Sequence, residues 1–189
     1  MKAWLRKVGF GLAIAWSAAF AANPITAAEL QRLLQGTPRP TVAFQEVRES
    51  PWLAAPVTSR GTMRSTPQSL EKHVESPREE TWRLLPDRVE WVGPGGTASK
   101  QITFGQAPAL AALSEVMRRV VAGDIVALER DFRIELSGDK AVWRAHLQPR
   151  AADVARYLES VELQGAAGRL QVIIVVERQG ERTTTRLLP

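Results

Sequence analysis

Histidine is the side chain best suited to move protons near neutral pH, and the chain has two, His73 and His146. Both stand inside runs of alternating polar and apolar residues. No His-x-x-x-His, His-Glu-x-x-His or carboxylate cluster accompanies them, so they read as partly exposed strand positions and not as metal ligands. A Gly-x-Ser-x-Gly elbow is absent. So is cysteine, which excludes disulfides, thiolate metal sites and thiol nucleophiles. Gly93-Pro94-Gly95-Gly96 has the glycines of a phosphate cradle but lies between two strand patterns, with no helix to present its N-terminus, and reads as a hairpin turn. Glu79 and Glu80 are neighbours along a strand and point to opposite faces, which makes them a poor acid–base pair. The residue types therefore point away from an enzyme, a metal site or a cofactor. Glu46 and Arg48 remain. They share a face with Val42 and Phe44 and form either an exposed pair near a strand end or a polar gate at the mouth of an apolar cavity; the two readings differ in burial.

Apolar recognition needs no such constellation, only an apolar face. The stretch from Glu79 to Phe104 has one: Trp82 and Leu84, Val89 and Trp91, Ile102 and Phe104 each fall two apart, the period that puts side chains on one side of a strand. Three short antiparallel strands are expected there, their shared face being either ordinary core or the lining for an apolar ligand. The elements around it must position that face. Ala107 to Val121 carries Leu110, Leu113, Val116, Met117 and Val120 at helical spacing. Thr26 and Glu29 have capping-box spacing ahead of Leu30, Leu33 and Leu34, and Gly36 stands where a left-handed C-terminal residue is expected. Strands are expected over Thr41 to Arg48, Val57 to Arg64 and Leu70 to Val74, with a bulge or close approach at Gly61 and with Pro51 and Pro56 bracketing Trp52-Leu53 in a loop.

Beyond the second helix, one further helical turn is expected at Ile125 to Leu128, then strands at Phe132 to Leu136 and Ala141 to Leu147. A helical turn within Ala151 to Leu158 precedes strands at Val161 to Leu163, Leu170 to Glu177 and Thr183 to Leu188. About ten strands and two clear helices predict a mainly β (α+β) fold, an antiparallel meander curled on itself with helices packed against it. An open barrel of that width is not filled by its own side chains, so helices or a ligand must occupy the inside.

The first 21 residues read as a secretory signal peptide, with Lys2, Arg6 and Lys7, an apolar run from Val8 to Phe20, and Ala19-Phe20-Ala21 before the cleavage point. Residues 22–189 are then expected to form a single domain. Taking three of the 25 basic residues away with the leader, and none of the 20 acidic ones, lowers the formal charge from +5 to +2. No basic cluster survives to recruit nucleic acid.

The order of several weak motifs resembles the LolA-like outer-membrane lipoprotein carrier proteins, in a divergent branch. The motifs are Phe44-x-Glu46-x-Arg48, Pro56-Val57-Thr58-Ser59-x-Gly61, Gly61-x-Met63 ahead of Pro67, Gly123-Asp124 followed by Leu128 and Phe132, Leu136-x-Gly138 before Trp143, Leu147-x-Pro149-Arg150, and Leu163-x-Gly165. Together they cover about Ala28 to Leu188. The resemblance implies an unclosed antiparallel half-barrel lidded by helices, with a cavity that holds acyl chains in transit across the periplasm. It implies no catalysis and no cofactor, lipoprotein acyl chains or another lipid as cargo, an inner-membrane donor complex, an outer-membrane acceptor, and a monomer. Joined to the periodicities, it makes Phe44, Met63, Leu70, Leu110, Leu113, Met117 and Trp143 cavity lining alongside the six residues of the aromatic stretch. The family's well-known carriers hold the lid with an arginine directly before the proline that corresponds to Pro67; here Thr66 stands there, and Arg64 does not inherit the role. The alternative is an envelope protein–protein interaction module with a closed β core and no lipid cargo.

Overall fold

The computed structural model describes residues 25–66 and 68–189; the expected leader, residues 1–21, and Pro67 lie outside the described residues. A helix, α1 (Ala27–Gln35), comes first. The Glu29 amide donates to Thr26 Oγ1 at 3.2 Å and the Thr26 amide donates to Glu29 Oε2 at 3.1 Å, the reciprocal pair that the spacing predicts. The Thr26 amide and hydroxyl together hold the Glu29 carboxyl below its ordinary range. Gly36 departs from expectation: it is right-handed, at φ −71° and ψ −12°. Its amide bonds back to Arg32 O at 3.0 Å, so the chain leaves α1 without the reversal that calls for a left-handed residue.

Six strands follow: β1 (Thr41–Glu49), β2 (Val57–Ser65), β3 (Leu70–Ser76), β4 (Glu80–Leu84), β5 (Arg88–Val92) and β6 (Ser99–Thr103). After the helix α2 (Pro108–Val121) come β7 (Phe132–Gly138), β8 (Val142–Pro149), the single turn α3 (Ala152–Ala155), β9 (Leu158–Ala166), β10 (Arg169–Glu177) and β11 (Arg182–Leu187). All eleven strands form one sheet in the order β6-β5-β4-β3-β2-β1-β11-β10-β9-β8-β7. The first and last strands pair in its middle, and β6 and β7 remain as edges, so the sheet is not closed. The chain between β6 and β7 must pass from one edge to the other. That obliges α2 to cross a sheet face, and its single apolar stripe selects the apolar one.

Paired residues in an antiparallel ladder share a face, so the register shows what that face contains. One row runs Trp91, Trp82, Lys72, Met63, Val42 across β5 to β1. Another runs Glu46, Thr185, Ile173, Leu163, Ala145, Leu136 across β1 and β11 to β7. Two apolar clusters form on it. The larger gathers α1, α2 and β7 to β10 around the fully buried Trp143, Leu163 and Ile173. The smaller gathers Val42, Phe44, Met63, Leu70 and Val74, and Met117 and Leu187 pack against both.

Two local features decide geometry near the face. At Gly61 the β2–β3 register shifts by one residue, and a Cβ there would stand 1.9 Å from the His73 carbonyl oxygen, the bulge and close approach expected from a glycine inside a strand. Phe104 corrects the expected pattern: β6 ends at Thr103, and Phe104 opens a 3₁₀ turn, Phe104–Gln106. The chain must leave the sheet there to reach α2 at Pro108, which breaks the two-residue alternation one position early.

Candidate functional site: an apolar cavity beneath α2

A cavity of about 300 Å³ lies between α2 and the strands β1 to β5, β10 and β11. This is the low end of the roughly 300–1,000 Å³ usual for small-molecule sites. Its sheet wall is Met63, Leu70, Trp82, Leu84 and Val89, and its roof is Leu110, Leu113, Ser114 and Met117. The roof residues lie three, four and seven apart along α2, one face of the helix. Glu46, Arg48, Lys72, Glu80, Glu177, Thr183 and Thr185 make a polar side, with Val175 among them. The site is thus apolar on one side and polar on the other.

Of the residues singled out in the sequence, Met63, Leu70, Trp82, Leu84, Val89, Leu110, Leu113, Met117, Glu46 and Arg48 meet around this cavity. Five do not line it. Phe44 is 1% exposed in the cluster next to the cavity, with Lys72 Nζ 5.0 Å from its ring centroid. Trp91 packs against Trp82 with the rings tilted by 53° and their centroids 6.3 Å apart. Ile102 pairs with Val89 on the edge strand, and Phe104 sits in its turn. Trp143 belongs to the larger cluster and is 0% exposed, because buried side chains of α1, α2 and β7 to β10 gather with it in one packed core. His73 and His146 are half-buried strand residues, and His73 Nδ1 lies 3.0 Å from Thr81 Oγ1.

Of the polar side, only Glu46 and Arg48 were singled out in the sequence as part of a site. The parity of Leu70-x-Lys72-x-Val74 and of Glu80-x-Trp82 places Lys72 and Glu80 on the apolar face, a signal open to sequence reading. Glu177, Thr183 and Thr185 join only through the pairing of β11 with β1, between residues far apart in the chain. Ser114 is one turn of α2 from Leu110 and shares its face.

These groups are tied to one another. Glu46 Oε1 meets Lys72 Nζ at 2.6 Å, and Glu46 Oε2 accepts from Thr185 Oγ1 at 2.7 Å. Glu80 accepts from the indole N–H groups of Trp82 at 3.0 Å and Trp91 at 2.8 Å, which fixes both rings. Glu46 and Arg48 do not pair with each other. Arg48 is engaged by Glu181 with its side chain 58% exposed, whereas Glu46 is 14% exposed, so the two occupy the rim and the inside respectively.

Burial pushes the Glu177 carboxyl above its ordinary range, the neighbouring Glu181 charge adds to this, and Arg48 partly opposes it. A carboxyl whose folded pKa exceeds its unfolded one opposes folding where it is ionised in both states. That opposition is relieved as pH falls through the folded value. Glu177→Gln is therefore expected to raise Tm at pH 8 and to change it less at pH 4.5; an equal shift at both pH values, or a fall at pH 8, would contradict this origin.

A larger cavity, about 480 Å³, lies at the other end of α2 among Leu34, Pro38, Val42, Val121, Leu170 and Leu187. It is framed by the turn after α1 and the C-terminal end of α2, and it holds none of the aromatic strands β4 and β5. The smaller cavity, where a sheet wall faces a helix stripe directly, is the candidate site.

No curated protein sequence matches the chain. Among solved structures, a LolA superfamily protein from Nitrosomonas europaea is similar with a TM-score of 0.43 and 13% identity, covering 87% of this chain and 92% of that one. An outer membrane lipoprotein-sorting protein domain from Vibrio parahaemolyticus gives 0.46 and 9%, covering 86% and 88%. A DUF1329 family protein from Desulfovibrio piger gives 0.44 and 10%, covering 86% and 90%. A family model described as "Outer membrane lipoprotein carrier protein LolA-like" matches residues 18–188, and the chain belongs to that family.

Proposed function

We propose that this protein is a non-enzymatic periplasmic carrier that holds acyl chains of a lipoprotein or another lipid beneath α2 and carries them toward the outer membrane. The observation that carries the reading is the apolar wall of Met63, Leu70, Trp82, Leu84 and Val89 standing across a cavity from the stripe of α2. An acyl chain entering there leaves water at about 25 cal/mol per Å² buried and needs no directional bond. Nothing in such a task calls for a nucleophile, a metal or a cofactor.

Entry requires α2 to shift relative to the sheet, and release to an acceptor requires modest affinity, so closed and open arrangements must differ by only a few kcal/mol. The cover here works without an arginine at position 66. Thr66 instead closes a local turn, its Oγ1 accepting from the Ser69 amide at 3.0 Å.

Mass spectrometry of lipids extracted from the purified protein tests the reading. Acyl-bearing molecules are expected at near-stoichiometric amounts, and a fluorescent apolar dye is expected to bind saturably and to be displaced by them. Absence of both sinks the carrier reading. It would leave the envelope interaction module, which one observation favours: Trp52 is 77% exposed on the β1–β2 loop beside Leu53 and Val57, each about 40% exposed, an apolar tip suited to a protein partner.

A further inference from the structure

The charges around the cavity do not balance. Glu46, Glu80 and Glu177 line it against Lys72 and Arg48. Neither cation is free: Lys72 is taken by Glu46, and Arg48 by Glu181. Glu80 is occupied by two indole N–H groups, and among the described residues Glu177 forms no ion pair. A phosphate or carboxylate brought inside would meet like charge with no cation to receive it.

An independent observation points to a polar but uncharged partner. Ser114 is 1% exposed, lines the cavity roof, and its Oγ has no hydrogen-bond partner among the described residues. A buried hydroxyl without a partner is unfavourable, and a pure hydrocarbon in the cavity would leave it so. An ester carbonyl, an amide or a hydroxyl would not. Thr183 and Thr185 on the opposite side add two more hydroxyls, and Glu177 adds an acceptor for a donor hydrogen.

We infer that the cavity selects lipids whose polar part is uncharged, such as glyceride esters, over lipids carrying an anionic headgroup. The chain lies against Trp82, Leu84 and Val89, and the ester or hydroxyl group lies between Ser114 and the Thr183–Thr185–Glu177 side. This rests on the acyl-carrier reading of the same cavity and adds a selection by headgroup charge.

The test uses two ligands that share chain and ester and differ by one phosphate: 1-dodecanoylglycerol and its 3-phosphate, both below their aggregation concentrations at pH 8, titrated against the delipidated protein with a displaced dye as readout. The neutral ester is expected to bind at least about tenfold more tightly, the order of discrimination that one uncompensated charge gives at short range. Glu177→Gln should narrow the gap by improving the phosphate more than the neutral ester, with its cooperative thermal melt reporting an intact fold. Ser114→Ala should weaken the neutral ester severalfold. Equal or tighter binding of the phosphate overturns the selection and leaves the carrier reading standing; failure of both lipids to bind overturns the two together. An unchanged neutral-ester affinity in Ser114→Ala removes Ser114 from the contact.

Discussion

Replacing Trp143 by alanine should destabilise the fold by about 3–5 kcal/mol, the range for deleting a large side chain from a packed core. Trp143 is fully buried. Its ring fits over Gly165 of β9, where an added Cβ would stand 2.2 Å from the indole. The space left behind cannot close readily, because α1, α2, β8 and β9 already pack around it. Its indole N–H has no partner among the described residues, so Trp143→Phe, which keeps most of the ring and removes that donor, should cost far less. Denaturant unfolding of the two variants checks this. A loss below about 1 kcal/mol in Trp143→Ala would mean that the residue lines a space rather than fills one.

Leu113→Glu should weaken binding of an apolar dye or neutral lipid at least about tenfold, about 1.4 kcal/mol, while the protein remains folded. Leu113 is half-buried in the cavity roof and faces Trp82 and Leu84 across the cavity. A carboxylate there either holds α2 away from the sheet or takes water into the apolar half. Trp82→Glu should act in the same direction from the opposite wall, where it would also place a second carboxylate beside Glu80. Arg83→Gln is the control, since Arg83 points to the other face and bonds Glu71 at 2.8 Å. Affinity in Leu113→Glu within twofold of the parent would place the ligand elsewhere, and equal losses in Arg83→Gln would show that the effect is not local.

Lys72 and Ser114 show why part of the site escaped sequence reading. Apolar periodicity picks out hydrophobic positions, and a polar residue at the right parity reads as an interruption of the face. Lys72 is on that face because Glu46 sits diagonally across β2 from it and supplies a counter-charge, a pairing between residues 26 apart. Ser114 shares the helix face of Leu110 and Leu113, and nothing in its own neighbourhood distinguishes it from a small core residue.

Which side chains face inward was legible from the chain alone. Strand parity put Phe44, Trp82, Leu84, Val89, Trp91 and Trp143 on an apolar face, helical spacing put Leu110, Leu113 and Met117 on one stripe, and motif order indicated a LolA-like fold. These are local properties, dictated by the geometry of a strand or a helix over a few residues. Only the tertiary structure decided which inward residues are core and which are wall. Trp143 and Trp82 have the same parity signal, yet α1 and the Ala112, Val116 and Val120 side of α2 pack together against the cluster of β7 to β10, whereas α2 alone roofs the cavity over β2 to β5. That difference follows from the chain crossing between the edge strands β6 and β7 and from β1 pairing with β11, long-range arrangements that no window of sequence contains. They leave the polar side of β10 and β11 facing the aromatic wall, and so make one half-barrel both a packed core and a cavity.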